Sequence, residues 1–371
     1  MDDRLKTLAG TLVNYSCAVQ TGENVLISVS GYDAMPLIRL IVKEVYRRKA
    51  RPFVEIRDAS VSRELLLGAD KELIERMAEF DAARMSKMQA YISVGANPNS
   101  AELSDIHPDI QKLYDIHYTR PVHYNIRIKN TRWVVLRYPT NSMAQHANMS
   151  LEQFEDFYFN VCNLDYRRMS DAMDCLVSLM NRTDRVRIIG RDTELSFSIK
   201  DIPAVKCAGR FNIPDGEVYT APVKNSVNGV VRYNVASEYN GVTHENVRLT
   251  FKDGRITEFS GNFPEKLRKI FDTDNGARYT GEFALGVNPY IKSPMKNTLF
   301  DEKIAGSFHL TPGQCYADAS NGNESAIHWD LIAIQTAKYG GGEIYFDNVP
   351  IRRDGVFVHK ELLGLNPENL S

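Results

Sequence analysis

The hydrophobic rhythm of the chain changes once, near residue 182, and that change excludes a single repeated architecture. Before it, apolar runs alternate with segments of helical spacing. Val25-Leu26-Ile27-Ser28-Val29 is apolar on consecutive residues, the pattern of a strand covered on both faces. From Ala34 to Arg48, Leu37, Ile38, Ile41, Val42 and Val45 recur at helical spacing. Pro36 falls in the first turn, where a missing N–H costs little. Pro52-Phe53-Val54-Glu55-Ile56 reads as a second strand, Lys71 to Lys87 as a helix, Ala90-Tyr91-Ile92-Ser93-Val94 as a third strand and Arg132 to Tyr138 as a fourth. Residues 1 to 20 read as helix. Ser150, three residues before Gln153, caps another, and helices continue to about Asn181. Strands and helices alternating in this way predict a parallel α/β sheet.

From Val186 the texture becomes short strands and Gly/Asn/Asp turns. Arg187-Ile188-Ile189, Glu194 to Ile199 and Val247 to Phe251 read as strands, with a hairpin turn at Lys252-Asp253-Gly254-Arg255. The expected fold class is therefore α/β, with an N-terminal parallel-sheet domain over 1–181 and a β-rich α+β metal-binding domain over 182–371. A length of 371 residues agrees, because single cores rarely grow past about 250 to 300 residues. The triplet Gly340-Gly341-Gly342 reads as a turn needing permissive φ. Ligands of parallel sheets sit beyond the strand C-terminal ends, here near Gly31 and Asn97. No GxGxxG follows the first strand and no GxxxxGK[ST] occurs, which argues against dinucleotide or nucleoside triphosphate there. The first domain is expected to be scaffold and a platform for dimerisation.

A formal net charge of -2 gives no general attraction for nucleic acid or an anionic membrane, so neither is an expected partner. The five cysteines, Cys17, Cys162, Cys175, Cys207 and Cys315, form no CxxC pair and are odd in number, as in a reducing compartment. Met1-Asp2-Asp3-Arg4 opens acidic without an apolar leader, and no apolar run reaches about 18 residues. A cytoplasmic protein without a membrane span is expected.

Chemistry concentrates in the second domain. In Ser325-Ala326-Ile327-His328-Trp329-Asp330, an imidazole and a carboxylate alternate with large apolar side chains. In a strand, His328 and Asp330 project to one face while Ile327, Trp329 and Leu331 pack behind them. Further acids and imidazoles stand in Pro214-Asp215-Gly216-Glu217, Gly281-Glu282-Phe283, Phe300-Asp301-Glu302 and Phe308-His309-Leu310. Imidazole and carboxylate together form the ligand set of zinc, cobalt, manganese or ferrous iron. Each position also has a structural explanation taken singly: Glu217 as a solvated residue after a turn, Glu282 in an ion pair, His309 as a satisfied core histidine.

The ordered series Glu217–Pro222 (EVYTAP), Gly281–Gly286 (GEFALG), Asn297–Glu302 (NTLFDE), His309 followed seven residues later by Tyr316, and Ser325–Asp330 (SAIHWD) resembles the thermophilic-aminopeptidase family of metallopeptidases, the aminopeptidase S and aminopeptidase T group. Upstream, Gly22 to Ala50 with Glu44-Val45-Tyr46-Arg47-Arg48 is similar to that family's first βα unit. Trp133, Tyr138-Pro139-Thr140 and Met149-Ser150-Leu151-Glu152 resemble its next landmark. The resemblance implies metal ligands at Glu217, Glu282, His309, His328 and Asp330, with Glu302 a further ligand, and a catalytic tyrosine at Tyr316. It also implies two divalent ions drawn from zinc, cobalt or manganese, Glu217 or Glu282 as proton carrier, short peptides with a free N-terminus as substrates, and a homodimer. Two departures stand out. Glu302 lies farther from His309 than in some members, and His309-Leu310-Thr311-Pro312-Gly313 replaces a sequence closer to HLALG, which leaves substrate preference open.

Other classes remain. Ring-cleaving dihydroxypyridine dioxygenases share the fold and hold one ferrous ion on two histidines and an aspartate, roles that His309, His328 and Asp330 would fill. A metal-free binding protein is the third.

Overall fold

The computed structural model describes residues 2–99, 101–239 and 241–371. It divides into two compact units, Met1–Asn163 with Gly209–Ile213, and Leu164–Ala208 with Pro214–Ser371.

The first unit is built on a parallel sheet. Its strands β1 (Asn24–Ser30), β2 (Arg51–Arg57), β3 (Ala90–Gly95) and β4 (Arg132–Arg137) lie in the order β2-β1-β3-β4, followed by the short strand Asn212–Ile213. Every pairing is parallel, as the sequence predicts. Residues 25 to 29 of β1 are all buried because β1 is flanked by strands on both edges and covered on both faces. Helix α1 (Met35–Arg47) turns Leu37, Ile38, Leu40, Ile41 and Val45 inward. β2 is different. It is an edge strand, and Phe53, Val54 and Ile56 are 42%, 46% and 51% exposed.

The second unit begins with the helix Tyr166–Asn181, whose buried face is Tyr166, Met169, Met173, Leu176, Leu179 and Met180. That face packs against the strand Val205–Cys207 and the turn Lys360–Leu365. The unit therefore starts at Leu164, before this helix and not after it, because the apolar stripe finds its cover downstream.

Two large antiparallel sheets and a two-stranded ribbon, Ser237–Tyr239 with Val242–His244, complete this unit. One has eight strands and includes the hairpin pairing Lys252 with Arg255. The other runs Leu331–Ile334, Ser307–Pro312, Thr280–Gly286, Glu217–Thr220, Val205–Cys207. Their facing sides meet where Phe197 lies edge to face with Phe283, ring centroids 5.0 Å apart. Gly340, Gly341 and Gly342 have φ of 102°, 70° and 154°, and the Gly342 N–H donates to Asp354 Oδ1 at 3.1 Å, so the triplet is a turn.

Gly286 marks a tight approach near the carboxylate-bearing face. A Cβ there lies 2.4 Å from the Ile304 carbonyl oxygen and 2.6 Å from Ser307 Oγ. Gly286→Ala is expected to cost about 1–3 kcal/mol through overpacking, read as a lower urea midpoint at unchanged m; an unaltered midpoint contradicts this.

Candidate metal centre

Period-two alternation in the five-stranded sheet builds the site. Across strands, Glu282 pairs with Thr311, Ala284 with His309 and with Tyr219, and Gly286 with Glu217. Cross-strand partners share a face, so Glu217, Tyr219, Glu282, His309 and Thr311 project together. The intervening residues Val218, Phe283, Leu285, Phe308 and Leu310 form the opposite, core-facing side and are all buried. A register shift between Thr280 and Glu282 adjusts the strand just before the carboxylate, as bulges near sites do.

His328 and Asp330 reach the same place by another route. The sequence reading predicted a strand over them, but the regular strand starts at Leu331. His328 makes only a single bridge, to Gly313. Side chains hold the segment instead. Trp329 is 2% exposed, donates from Nε1 to Ser237 Oγ at 2.9 Å, and packs against Tyr239, His244 and Phe271. Asp274 accepts from the Ser325 hydroxyl at 2.8 Å and the Ala326 N–H at 2.7 Å. Alternation survives this irregularity: Ile327, Trp329 and Leu331 are buried behind, while His328 Nε2 lies 3.3 Å from Asp330 Oδ1.

The groups converge on Glu282. Its Oε1 is 3.2 Å from His309 Nε2 and its Oε2 is 3.3 Å from His328 Nε2. Two donor sets result, Glu217–Glu282–His309 and Glu282–His328–Asp330, each with ligand atoms within 4.8 Å of one another. The donor chemistry fits divalent cations. The Gln314 carbonyl, which can only accept, takes a hydrogen bond from His328 Nδ1 at 2.8 Å. That leaves the Nε2 lone pair aimed at the carboxylates when the ring is neutral, the arrangement that prepares a histidine ligand. Glu217 Oε2 is buried without a hydrogen bond, 3.6 Å from His309 Nε2, so it keeps acceptor capacity for a cation. Thr311 Oγ1 donates to Asp330 Oδ1 at 2.7 Å and orients it. This threonine belongs to the very stretch that departs from the family pattern.

Charge explains the protonation states. Burial disfavours a charged His309 ring, but the hydrogen bond it donates to Glu282 and the charges of Glu217, Glu282 and Asp330 overcome this and push the imidazole up to about 9. His328 is likewise opposed by burial and pushed up to about 12 by Asp330 and Glu282. Burial pushes the Glu302 carboxyl up to about 8, with Glu217 and Asp330 adding to it against the pull of Lys303. Partial burial raises the Tyr316 phenol too, aided by Glu282, Asp330, Glu302 and Glu217, so its O–H stays a donor. The Tyr316 ring is 48% exposed and stands 4.9 Å from the His328 ring and 5.5 Å from the Tyr219 ring, centroid to centroid.

All seven sequence-predicted residues lie in or beside this cluster; Glu302 joins it through Lys303, at 2.7 Å. Glu217, expected on its own to be solvated, is 6% exposed. Lys303 itself went unseen. It is 1% exposed, and its ammonium lies 2.5 Å from Glu217 Oε1 and 3.8 Å from Asp215 Oδ1. A lysine after an aspartate and a glutamate reads as a surface charge run, and only the fold reveals its burial. Tyr219, whose hydroxyl donates to Asp318 at 2.9 Å, and Thr311 were missed for the same reason.

A family model of thermophilic metalloproteases (M29) matches residues 1–357. Aminopeptidase 2 of Geobacillus stearothermophilus is 26% identical, covering 95% of this chain and 97% of its own length. Aminopeptidase PepS of Streptococcus thermophilus is 26% identical, with 96% and 98% covered. The structure of wild-type AmpT from Thermus thermophilus superposes with a TM-score of 0.80 at 23% identity, covering 96% of this chain and 99% of that one, which shows a shared fold.

Protonation gives a test. The folded histidine pKa values lie above the ordinary value of about 6.5, so metal-free protein has their full contribution to stability below about pH 6.5. That contribution is lost as pH rises through about 9, the His309 value, and beyond. Zinc added at about pH 7.5 must then displace ring protons, seen calorimetrically as a heat that varies with buffer ionisation enthalpy. A buffer-independent heat contradicts the assignment.

Proposed function

The chain belongs to the thermophilic metalloprotease family M29, and on that premise we propose that it is a metal-dependent aminopeptidase releasing N-terminal residues from short peptides. The observation that carries this reading is the sharing of Glu282 between two donor sets, which suits a pair of divalent ions drawn from zinc, cobalt or manganese. The names of the two relatives as aminopeptidases support the same activity.

Glu217, Glu282 and His309 would hold one ion, and Glu282, His328 and Asp330 the other, with Glu302 an additional ligand. Bound there, such ions supply a water of lowered pKa and a Lewis acid for the scissile carbonyl. Glu217 or Glu282 takes the water proton and hands it to the leaving amine. Tyr316, kept protonated by its partial burial and by the surrounding carboxylates, donates to the oxyanion of the tetrahedral species. The carboxylate excess pairs with the α-ammonium of the substrate, which accounts for specificity toward a free N-terminus.

Ring cleavage is not favoured. A single iron on His309, His328 and Asp330 leaves no role for Glu282, which touches both rings, and family membership points to hydrolysis. Nor does a metal-free binding protein account for two donor sets that share one carboxylate.

We place the protein in the cytoplasm as a homodimer. Five free cysteines, three of them buried, support a reducing compartment, and no helix among the described residues is long and apolar enough to cross a membrane. The exposed apolar edge of β2 supports self-association through the first unit.

Three outcomes are expected. Metal-loaded protein releases free amino acid from dipeptides but not from their N-acetylated forms; silence on both with zinc, cobalt and manganese contradicts the activity. Glu282→Gln lowers kcat/KM by about 10²–10⁴-fold with the fold intact by circular dichroism, and full activity removes Glu282 from the site. Ile56→Lys shifts the sedimenting species toward monomer, whereas an unchanged dimer places the interface elsewhere.

A further inference from the structure

We propose that Lys303 is a resident counter-cation that makes the two donor sets unequal. The set Glu282–His328–Asp330 fills first, and the set Glu217–Glu282–His309 fills more weakly because the Lys303 ammonium already holds Glu217. This deepens the metal-dependent reading above and rests on it.

The geometry is specific. Lys303 is buried and its Nζ lies 2.5 Å from Glu217 Oε1 and 2.7 Å from Glu302 Oε1, with Asp215 Oδ1 at 3.8 Å. A cation entering the first set must share Glu217 with that ammonium. Two positive charges on one buried carboxylate repel strongly where little water screens them. The same ammonium also engages Glu302, so that additional ligand too must be shared with Lys303.

Support from neighbouring groups is unequal in the same direction. In the second set, His328 is fixed by the Gln314 carbonyl and Asp330 by the Thr311 hydroxyl. In the first set, His309 Nδ1 is buried with no hydrogen-bond partner among the described residues. Ligands held by outer hydrogen bonds bind metal more tightly. Lys303 thus acts as a positioning residue: it sets how many divalent ions the site holds at a given free concentration.

Manganese uptake by the full chain, followed by equilibrium dialysis with elemental analysis, tests this. Wild-type protein takes up two ions in separated steps, the second at least about 10-fold weaker. In Lys303→Met the second step tightens at least about 10-fold while the first moves less than about 2-fold. Two equal steps in the wild type, or an unmoved second step in Lys303→Met, overturns the proposal. If Lys303→Met does not fold, Glu217→Gln decides: loss of the weak step alone supports the assignment, and loss of the tight step overturns it. No uptake by the wild type at any concentration overturns the metal-dependent reading itself, and this proposal with it.

Discussion

Buried carboxylates in excess of their fixed counter-charges are the constraint around which the second unit is organised. Glu217 and Glu282 are 6% and 3% exposed, and both point from one sheet face toward His309 and His328. Isolated charges in such a place are unstable, so each must find a cation or a proton. Without a metal, the protons go to the two imidazoles and the remaining positive charge comes from Lys303. The same negative field holds the Tyr316 phenol protonated, which links the resting electrostatics of the cluster to its chemistry.

The surrounding structure explains why that charge is tolerated. Glu217, Glu282 and His309 sit on antiparallel strands whose other face buries Val218, Phe283, Leu285, Phe308 and Leu310, and Phe283 anchors that face against Phe197. Rigid strands place donors more accurately than loops do. His328 and Asp330 lack a regular ladder, and there the Trp329 aromatic contacts and the Asp274 hydrogen bonds replace it.

Legibility in the sequence followed the same physics. The parallel sheet was readable because β1 is apolar on consecutive residues and α1 carries a clean helical stripe. The helix Tyr166–Asn181 was read correctly as a helix, yet its membership in the second unit depends on contacts with residues 205–207 and 360–365 that no local pattern announces. At the site, the shared face of His328 and Asp330 survived because two-residue alternation needs only extended backbone, not a paired strand. Lys303 was not readable. Its position depends on Glu217, 86 residues away, and on the turn after Thr298–Asp301 that points it inward. The departure at Thr311 read only as leaving substrate preference open; that its hydroxyl orients Asp330 is visible in the fold.

The central claim is that Glu282 is the ligand common to two cation positions. Anomalous diffraction at the zinc edge from crystals grown with excess zinc tests it most directly. Two peaks are expected, both within ligand distance of Glu282, one beside His309 and the other beside His328 and Asp330. Peaks that avoid Glu282, or none at this face of the sheet, would contradict it.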